Sequence, residues 1–203
     1  MSNATTPFGL RPVRHINGAP WNGQTIRCWA SASYATALYI GDPVVWVAGA
    51  ILATEKDVTA KHWTVNRATG SDAGVVNGVI TSFEPNADNL TQQYRPASQD
   101  RWVNVCVATP DIVFQIRDDG SGTPAKVFVC QNATMTAGTA STITGLSGFQ
   151  LDASTPAADQ SYPLLILGLS DIEDNELADY AIWDVLINTC YNATGLYLGI
   201  TCT

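Results

Sequence analysis

Short segments in which apolar and polar residues alternate recur along this chain, and turn-forming residues separate them. Alternation with a period of two, carried by β-branched and aromatic side chains, predicts β-strands. The strongest such segments are 101–108, 111–118 and 180–191, while 44–47 and 162–169 are continuous apolar runs that suit buried strands. Weaker ones are 26–40, 61–66, 73–83, 125–130 and 196–200. Residues 101–130 are expected to form a meander of consecutive strands.

Strands that recur about every 8–12 residues are typical of a β-sandwich or a β-barrel. The sequence therefore predicts an all-β protein with a single sandwich or barrel domain of jelly-roll-like character. A helix is expected at most as a short turn after Asp171, which has the chemistry of an N-cap.

Residues 1–27 show no such alternation, and proline and glycine interrupt them repeatedly. That composition breaks helices and long strands. The sequence therefore predicts an extended N-terminal arm over residues 1–27, anchored by the aromatic side chains of Phe8 and Trp21, and a β-rich body over residues 28–203.

Charge is sparse and unevenly distributed along the chain. The 203 residues include ten basic and 18 acidic ones, for a net charge of −8. Nucleic acid is excluded as the main partner because phosphate binding needs clustered lysine and arginine. Arg11, Arg14 and Arg27 precede the first acid, Asp42, so residues 1–41 carry +3 and the remainder −11. A basic arm beside an acidic body suggests either contact with an acidic neighbour or a solvated terminus.

No segment has the length and composition of a secretion signal or a membrane-spanning helix. We therefore expect a protein that is assembled in a cytoplasm and has no membrane partner. The five cysteines contain no CxxC pair, so in that reducing compartment they are expected to be free thiols that pack as small apolar groups.

No residue pattern assembles a catalytic or metal site. His15 and His62 are the only histidines, and neither has the spacing of a zinc ligand set. Residues 145–148 superficially resemble a nucleophile elbow, but Phe149 stands where that motif needs glycine. We therefore expect no enzyme activity, no metal and no cofactor, and we expect both histidines to be surface or packing residues.

An acidic run provides the best candidate site. Its carboxylates are Asp171, Glu173, Asp174 and Glu176. A solvated loop is the simplest interpretation, but oxygen ligation of a hard cation and paired glycosidase acids are alternatives. A further alternative is a patch that receives basic groups of a neighbouring subunit, such as Arg11 and Arg14 of another copy.

Several stretches share a pattern that is more specific than any one motif. They are residues 7–15, 34–44, 110–116 with Asp119-Gly120, 145–152, and a C-terminal block of 165–169, 174–176 and 185–188. Together, and in this order, they resemble a family of small structural proteins of tailed-phage particles, described as head-decoration proteins. The chain departs from that pattern at Ile172-Glu173 and where it continues beyond Asn188.

The resemblance implies a decoration, or cement, subunit on the outer capsid surface of a virion. Such a subunit is commonly a homotrimer that ties major capsid proteins together, and it has no catalytic residues. The contact residues expected in the arm are Phe8, Arg11, Arg14 and Trp21. Two alternatives stay open: a tail or adaptor component, and a glycan-binding β-module or virion enzyme that uses exposed tryptophans and the acids of 171–179.

Overall fold

The computed structural model describes residues 3–47, 62–69 and 74–190. Its strands are β1 (Arg11–His15), β2 (Ile26–Ala30), β3 (Pro43–Val47), β4 (Thr64–Arg67), β5 (Gly78–Phe83), β6 (Arg101–Val107), β7 (Ile112–Arg117), β8 (Asn132–Ala133), β9 (Met135–Ala137), β10 (Phe149–Leu151), β11 (Leu164–Leu169) and β12 (Ile182–Ile187). The only helical element in these ranges is one 3-10 turn at Lys126–Phe128. The prediction of an all-β protein is confirmed.

Five strands close into a barrel in the order β2-β4-β3-β5-β6. Strands β2 and β4 run parallel, whereas the other neighbouring pairs are antiparallel. Cys28, Val44, Ile80, Val103 and Val105 belong to one buried apolar cluster within these strands. Closure explains the alternation in these segments, because every second side chain of a barrel strand faces inward.

A second layer is an open antiparallel sheet in the order β1-β7-β12-β11-β8, beside a short hairpin of β9 and β10. Phe114, Trp183 and Val185 of this sheet lie in the larger of the two apolar cores. Val79 and Cys106 of the barrel lie in the same core. The two layers therefore share a hydrophobic interior, as layered domains generally do.

The prediction of a meander over residues 101–130 is wrong, because β6 and β7 do not pair and belong to two different sheets. Strand β6 lies in the barrel and β7 in the open sheet. The segment around Pro110 therefore carries the chain from one layer to the other. Alternation alone does not reveal this, because a strand of period two looks the same in either layer.

The strand predicted at 125–130 is also corrected, since its centre is the 3-10 turn. Phe128 packs on Trp183 with 5.7 Å between ring centroids, while Val127 is exposed. The burial of one aromatic ring has overridden the β-propensity of the neighbouring valines, a propensity that is known to depend on context.

Residues 3–15, which belong to the predicted arm, lie against the body. Arg11–His15 pair with β7. The backbone of 19–21 then returns along the other side of β1, with hydrogen bonds from the His15 N–H to Ala19 and from the Trp21 N–H to Val13. Proline and glycine therefore limit the strand to five residues but do not prevent it.

Residues 171–181 form bends and turns without a helix. The strand expected at 196–200 and the cysteine at 202 lie outside the described residues. In the ranges that the structure describes, no helix has the length and apolar character needed to cross a bilayer.

Candidate contact surface and its buried polar supports

A row of hydrogen-bonded polar side chains crosses the open sheet. Arg11 on β1 donates to the Gln115 side chain on β7 (2.7 Å), and Arg14 donates to Asp184 on β12 (3.0 Å). Gln115 donates to Asp184 (3.3 Å) and to the hydroxyl of Ser170. Strand register explains the row, because Gln115 stands opposite both Arg11 and Asp184. Both arginines thus have partners within their own sheet.

Three of the four predicted contact residues are brought together around one groove. Phe8, Arg11 and Trp21 line a space of about 280 Å³ whose other walls are mostly apolar. The Arg11 guanidinium lies 5.0 Å from the centre of the Phe8 ring, and Trp21 packs against the main core. Arg14 instead reaches Asp184. We name the surface formed by Phe8, Arg11 and Trp21 the contact groove.

The predicted acidic loop is held through its backbone. The Asn175 amide donates to the carbonyls of Ser170 (2.8 Å) and Ile182 (2.9 Å), and its oxygen accepts the Ile182 N–H (2.8 Å). The acidic residues Asp171, Glu173, Asp174 and Glu176 are all exposed. In the described part of the chain, no group of three or more histidine, cysteine or acidic residues is placed to hold a metal ion. The loop therefore presents negative charge to solvent.

Asn3 fastens the N-terminal segment to this loop. Its amide nitrogen donates to the carbonyls of Glu176 (2.9 Å), Ala178 (3.3 Å) and Asp179 (3.1 Å), and its oxygen accepts the Glu176 N–H (3.0 Å). Asn3 thus joins the N-terminal segment to the acidic loop within one molecule, and the contact of that loop with Arg11 and Arg14 of another copy stays a prediction. The sequence alone does not reveal Asn3, because a lone asparagine near a terminus has no periodic signal.

Replacing Asn3 with alanine is expected to lower the free energy of unfolding by about 2 kcal/mol, because the hydrogen bonds between the buried Asn3 amide and the loop backbone are all lost. Asn17→Ala is the matched control, since Asn17 is exposed and accepts one local hydrogen bond from the Ala19 N–H. It should cost less than about 0.5 kcal/mol. Urea denaturation measures both. Equal effects would show that Asn3 does not hold the loop.

Asp42 and Ser147 form a buried pair across 105 residues of sequence. The Ser147 hydroxyl donates to one carboxylate oxygen of Asp42 (2.6 Å), and the Tyr39 N–H donates to the other (2.9 Å). Burial raises the pKa of Asp42 to about 6, although these two hydrogen bonds and the charge of Arg67 act to lower it. The Ser147 hydroxyl therefore donates its proton to a carboxylate, and this hydrogen bond joins the loop of Asp42 to the loop of Ser147.

Two glycines let the chain pass close to this pair. Gly9 and Gly41 have φ values of +73° and +93°, in the left-handed region that favours glycine. A Cβ on Gly9 would overlap the Gly41 carbonyl oxygen, and a Cβ on Gly41 would overlap the Phe8 carbonyl oxygen. The Leu10 N–H also donates to Gly41 (2.9 Å). We name Gly9, Gly41, Asp42 and Ser147 the glycine junction.

Asp118 is a second fully buried carboxylate. It accepts hydrogen bonds from the Trp183 indole N–H (3.0 Å) and from the backbone N–H groups of Tyr180 (2.6 Å) and Gly120 (3.1 Å). Burial raises the pKa of Asp118, while these hydrogen bonds lower it. The residue follows β7 and joins that strand to the start of β12.

The two histidines lie apart from both carboxylates. His15 is 2.9 Å from Asp111 at the surface, and His62 packs against Trp102 with 4.9 Å between ring centroids. These are the surface and packing positions that we expected.

Burial raises the pKa of the Cys28 and Cys106 thiols to about 12, so both cysteines act as small apolar groups.

A cleft of about 720 Å³ beside the barrel is not predicted by the sequence. It is lined by residues of the loop 84–100 between β5 and β6. The only sequence feature at the cleft is the asparagine- and aspartate-rich segment 86–89, a composition that is typical of turns. Arg95 supports the loop and is buried. It precedes a proline, and nothing in the surrounding sequence indicates that its side chain lies in the interior.

Comparison of the chain with protein-family models, with curated proteins and with solved structures found no match.

Proposed function

We propose that this chain is a decoration subunit of a tailed-phage capsid, which binds the outer surface of the shell as a homotrimer and ties neighbouring major capsid proteins together. The proposal rests on the resemblance of five sequence blocks, and one observation carries it. Blocks that are far apart in sequence contact one another in the fold, at positions that depend on their particular residues.

The first, second and fourth blocks meet at the glycine junction. Gly9 belongs to block 7–15, Gly41 and Asp42 to block 34–44, and Ser147 to block 145–152. Besides the Asp42 hydrogen bond, the Ser147 N–H donates to Ile40 (2.8 Å). A junction of this kind restricts each block to few residue types. The residues that carry the resemblance thus include several that this fold depends on, which supports the proposal.

The third block and the C-terminal block meet in the open sheet. Strand β7 of block 110–116 pairs with β12, in which 185–188 begins. Asn175, which belongs to the C-terminal block, bonds the backbone on both sides of the acidic loop. All five blocks therefore contribute to one packed unit.

The chemistry of the buried polar groups also favours a structural role. Each of three buried polar side chains is hydrogen-bonded to backbone or side-chain groups of the protein itself: Asp42, Ser147 and Asp118. A shell that offers the same site many times gains strength when each added subunit contributes interface area. Within this proposal, the contact groove and the basic side chain of Arg11 touch the major capsid protein.

Copy number per virion tests the assignment. Quantitative mass spectrometry of purified particles should find on the order of hundreds of copies, because capsid symmetry repeats a surface site many times. Roughly a dozen copies or fewer would point to the tail or an adaptor ring, where low-order symmetry applies. Absence from purified virions would reject a structural role altogether.

Binding to undecorated shells tests the contact groove. Arg11→Glu is expected to weaken binding about tenfold or more, because a charge of the wrong sign at an interface costs on the order of 1.4 kcal/mol or above. Lys126→Glu is the matched control, since Lys126 is an exposed base on the 3-10 turn and undergoes the same change of charge. Equal weakening by both variants would remove the groove from the proposal.

A further inference from the structure

The loop of residues 84–100 is long, polar and yet tightly ordered. It joins two neighbouring antiparallel barrel strands, β5 and β6, for which a turn of a few residues would suffice. Loops of this length in compact domains are commonly functional. The features that hold this loop in place, and the cleft that it covers, point to a binding site.

Arg95 supports the loop from inside. Its side chain is fully buried and donates to the backbone carbonyls of Gln99 (2.6 Å), Thr36 (2.7 Å) and Ser31. Burial lowers the pKa of Arg95. A buried cation that binds three carbonyls fixes the loop against the segment that follows β2, because leaving the charge unpaired would be costly.

Arg101 holds the other half of the loop. It donates to the backbone carbonyls of Glu84 (3.0 Å), Gln92 (2.9 Å) and Tyr94. The Tyr94 ring also stacks on Tyr39, with centroids 5.1 Å apart and planes nearly parallel. Two arginines and one aromatic stack therefore preorganise the loop, so a ligand would meet little of the entropic cost of ordering it.

The barrel side of the cleft is aromatic. Trp29 on β2 and Trp102 on β6 both line it, with their ring centroids 4.8 Å apart and their planes at 67°. The Arg27 guanidinium lies 3.7 Å from the centre of the Trp102 ring and forms a two-point ion pair with Glu84. Arg27 therefore holds the Trp102 indole in position and covers one of its faces, while the Trp29 ring contacts Trp102 in an edge-to-face arrangement.

The loop side of the cleft is polar. Its lining includes the side chains of Asn86, Asp88, Asn89, Gln92, Gln99 and Asp100. Asp88 and Gln99 are exposed, and their side chains form no hydrogen bond within the described residues. The lining holds three carboxylates, of Glu84, Asp88 and Asp100, against the one guanidinium of Arg101, for a net charge of −2.

From this arrangement we propose that the cleft binds a neutral saccharide. A sugar ring presents apolar C–H faces and a rim of hydroxyls, so it needs a rigid aromatic wall opposite planar amides and carboxylates. The cleft supplies both in a preformed cavity, which is how small-molecule sites are generally built. Its net negative charge disfavours sulfated and other anionic sugars, because the one cation of the lining, Arg101, already donates to three backbone carbonyls.

This inference goes beyond the proposed function, since a capsid subunit needs no saccharide site. It also places glycan binding in the cleft, whereas the sequence suggested the acidic loop for that role. The acids of 171–176 lie on an exposed turn without an aromatic ring in the loop itself, whereas the cleft joins two indoles to a polar loop. A partner protein fits the cleft less well, since a protein hot spot is an apolar centre within a polar rim.

Isothermal titration of the 203-residue chain tests the proposal. The probes are maltohexaose, cellohexaose, chitohexaose and mannohexaose as neutral sugars, with a heparin hexasaccharide and hexalysine as charged ones. At least one neutral hexasaccharide should bind, and neither charged probe should. Asp88→Ala and Gln99→Ala should each weaken that binding about tenfold, because each removes a hydrogen bond to a hydroxyl. Both residues are exposed, so the variants should fold.

Asp171→Ala is the control, because it removes the same charge as Asp88→Ala from an exposed position outside the cleft. It should leave the affinity unchanged. Failure of all four neutral sugars to bind, binding that survives both cleft variants, or selective binding of heparin or hexalysine would each overturn the proposal. None of these outcomes changes the copy number in virions, so the test is independent of the capsid assignment.

Discussion

Gly41→Ala is expected to destabilise the protein by about 4 kcal/mol, which is among the largest effects that a single added methyl group produces. Two costs combine. Alanine is strained at φ +93°, and its Cβ would overlap the Phe8 carbonyl oxygen. Because that oxygen belongs to the backbone, the N-terminal segment would have to move as a whole. For a chain of this size the melting temperature should fall by roughly 12 °C, as measured by circular dichroism.

Gly18→Ala separates the two costs. Gly18 has φ +89°, but no atom lies within 4 Å of the position that its Cβ would occupy. The variant therefore has the strain without the overlap, and it should cost about 1–2 kcal/mol. If the two variants proved equally stable, the glycine junction would not depend on close backbone approach. The structural explanation of the shared sequence pattern would then fail.

The strands were largely predictable because alternation is a local property. Segments 44–47, 101–108 and 111–118 each overlap a strand of the structure, at β3, β6 and β7. The division of those strands between two layers was not predictable. It depends on which partner each strand finds, and partner choice is decided by packing over long sequence distances.

The buried polar groups were hidden for a related reason. Asp42 stands in a Gly-Asp-Pro sequence and Asp118 in an Asp-Asp-Gly sequence, and both motifs favour turns. Both turns exist, but their carboxylates point inward to partners such as Ser147 and Trp183. Sequence spacing carries no information about contacts made across 105 or 65 residues.

The predicted contact residues show that residue type can indicate a surface without revealing the bonds made within it. Phe8, Arg11 and Trp21 were selected by residue type, and the structure does gather them around one groove. Their partners within the chain were not foreseen. Arg11 and Arg14 have the charge expected of an arm that reaches a neighbour, yet each already binds a side chain of its own sheet. Any role in docking must therefore be compatible with these bonds.

Asp42 should make the protein more stable in mild acid than at neutral pH. Burial raises its pKa to about 6 in the folded state, whereas an unfolded aspartate titrates near 3.9. Between these two values the folded protein binds more protons than the unfolded chain. The free energy of unfolding therefore falls as the pH rises from about 4 to about 6, and the full cost of about 3 kcal/mol applies above that range.

Asp42→Asn is expected to remove this pH dependence while the protein stays folded. The amide oxygen can accept the Tyr39 N–H, and the amide nitrogen can donate to the Ser147 oxygen, so the buried pair keeps its hydrogen bonds without a charge. Urea denaturation at pH 4, 5, 6 and 8 should show a decline with pH that is about 3 kcal/mol smaller in the variant than in the parent.

Asp159→Asn provides a control that removes another carboxylate. Hydrogen bonds from the backbone and hydroxyl of Ser161 lower the pKa of Asp159, so the stability that this carboxylate contributes is lost only below about pH 4. Its removal should leave the shape of the profile between pH 4 and pH 8 unchanged. If Asp42→Asn kept the parent profile, the titration would belong to another buried acid, and Asp118 would be the first to examine because burial raises its pKa in the same direction. The glycine junction would then hold its carboxylate in charged form without the cost assigned to it.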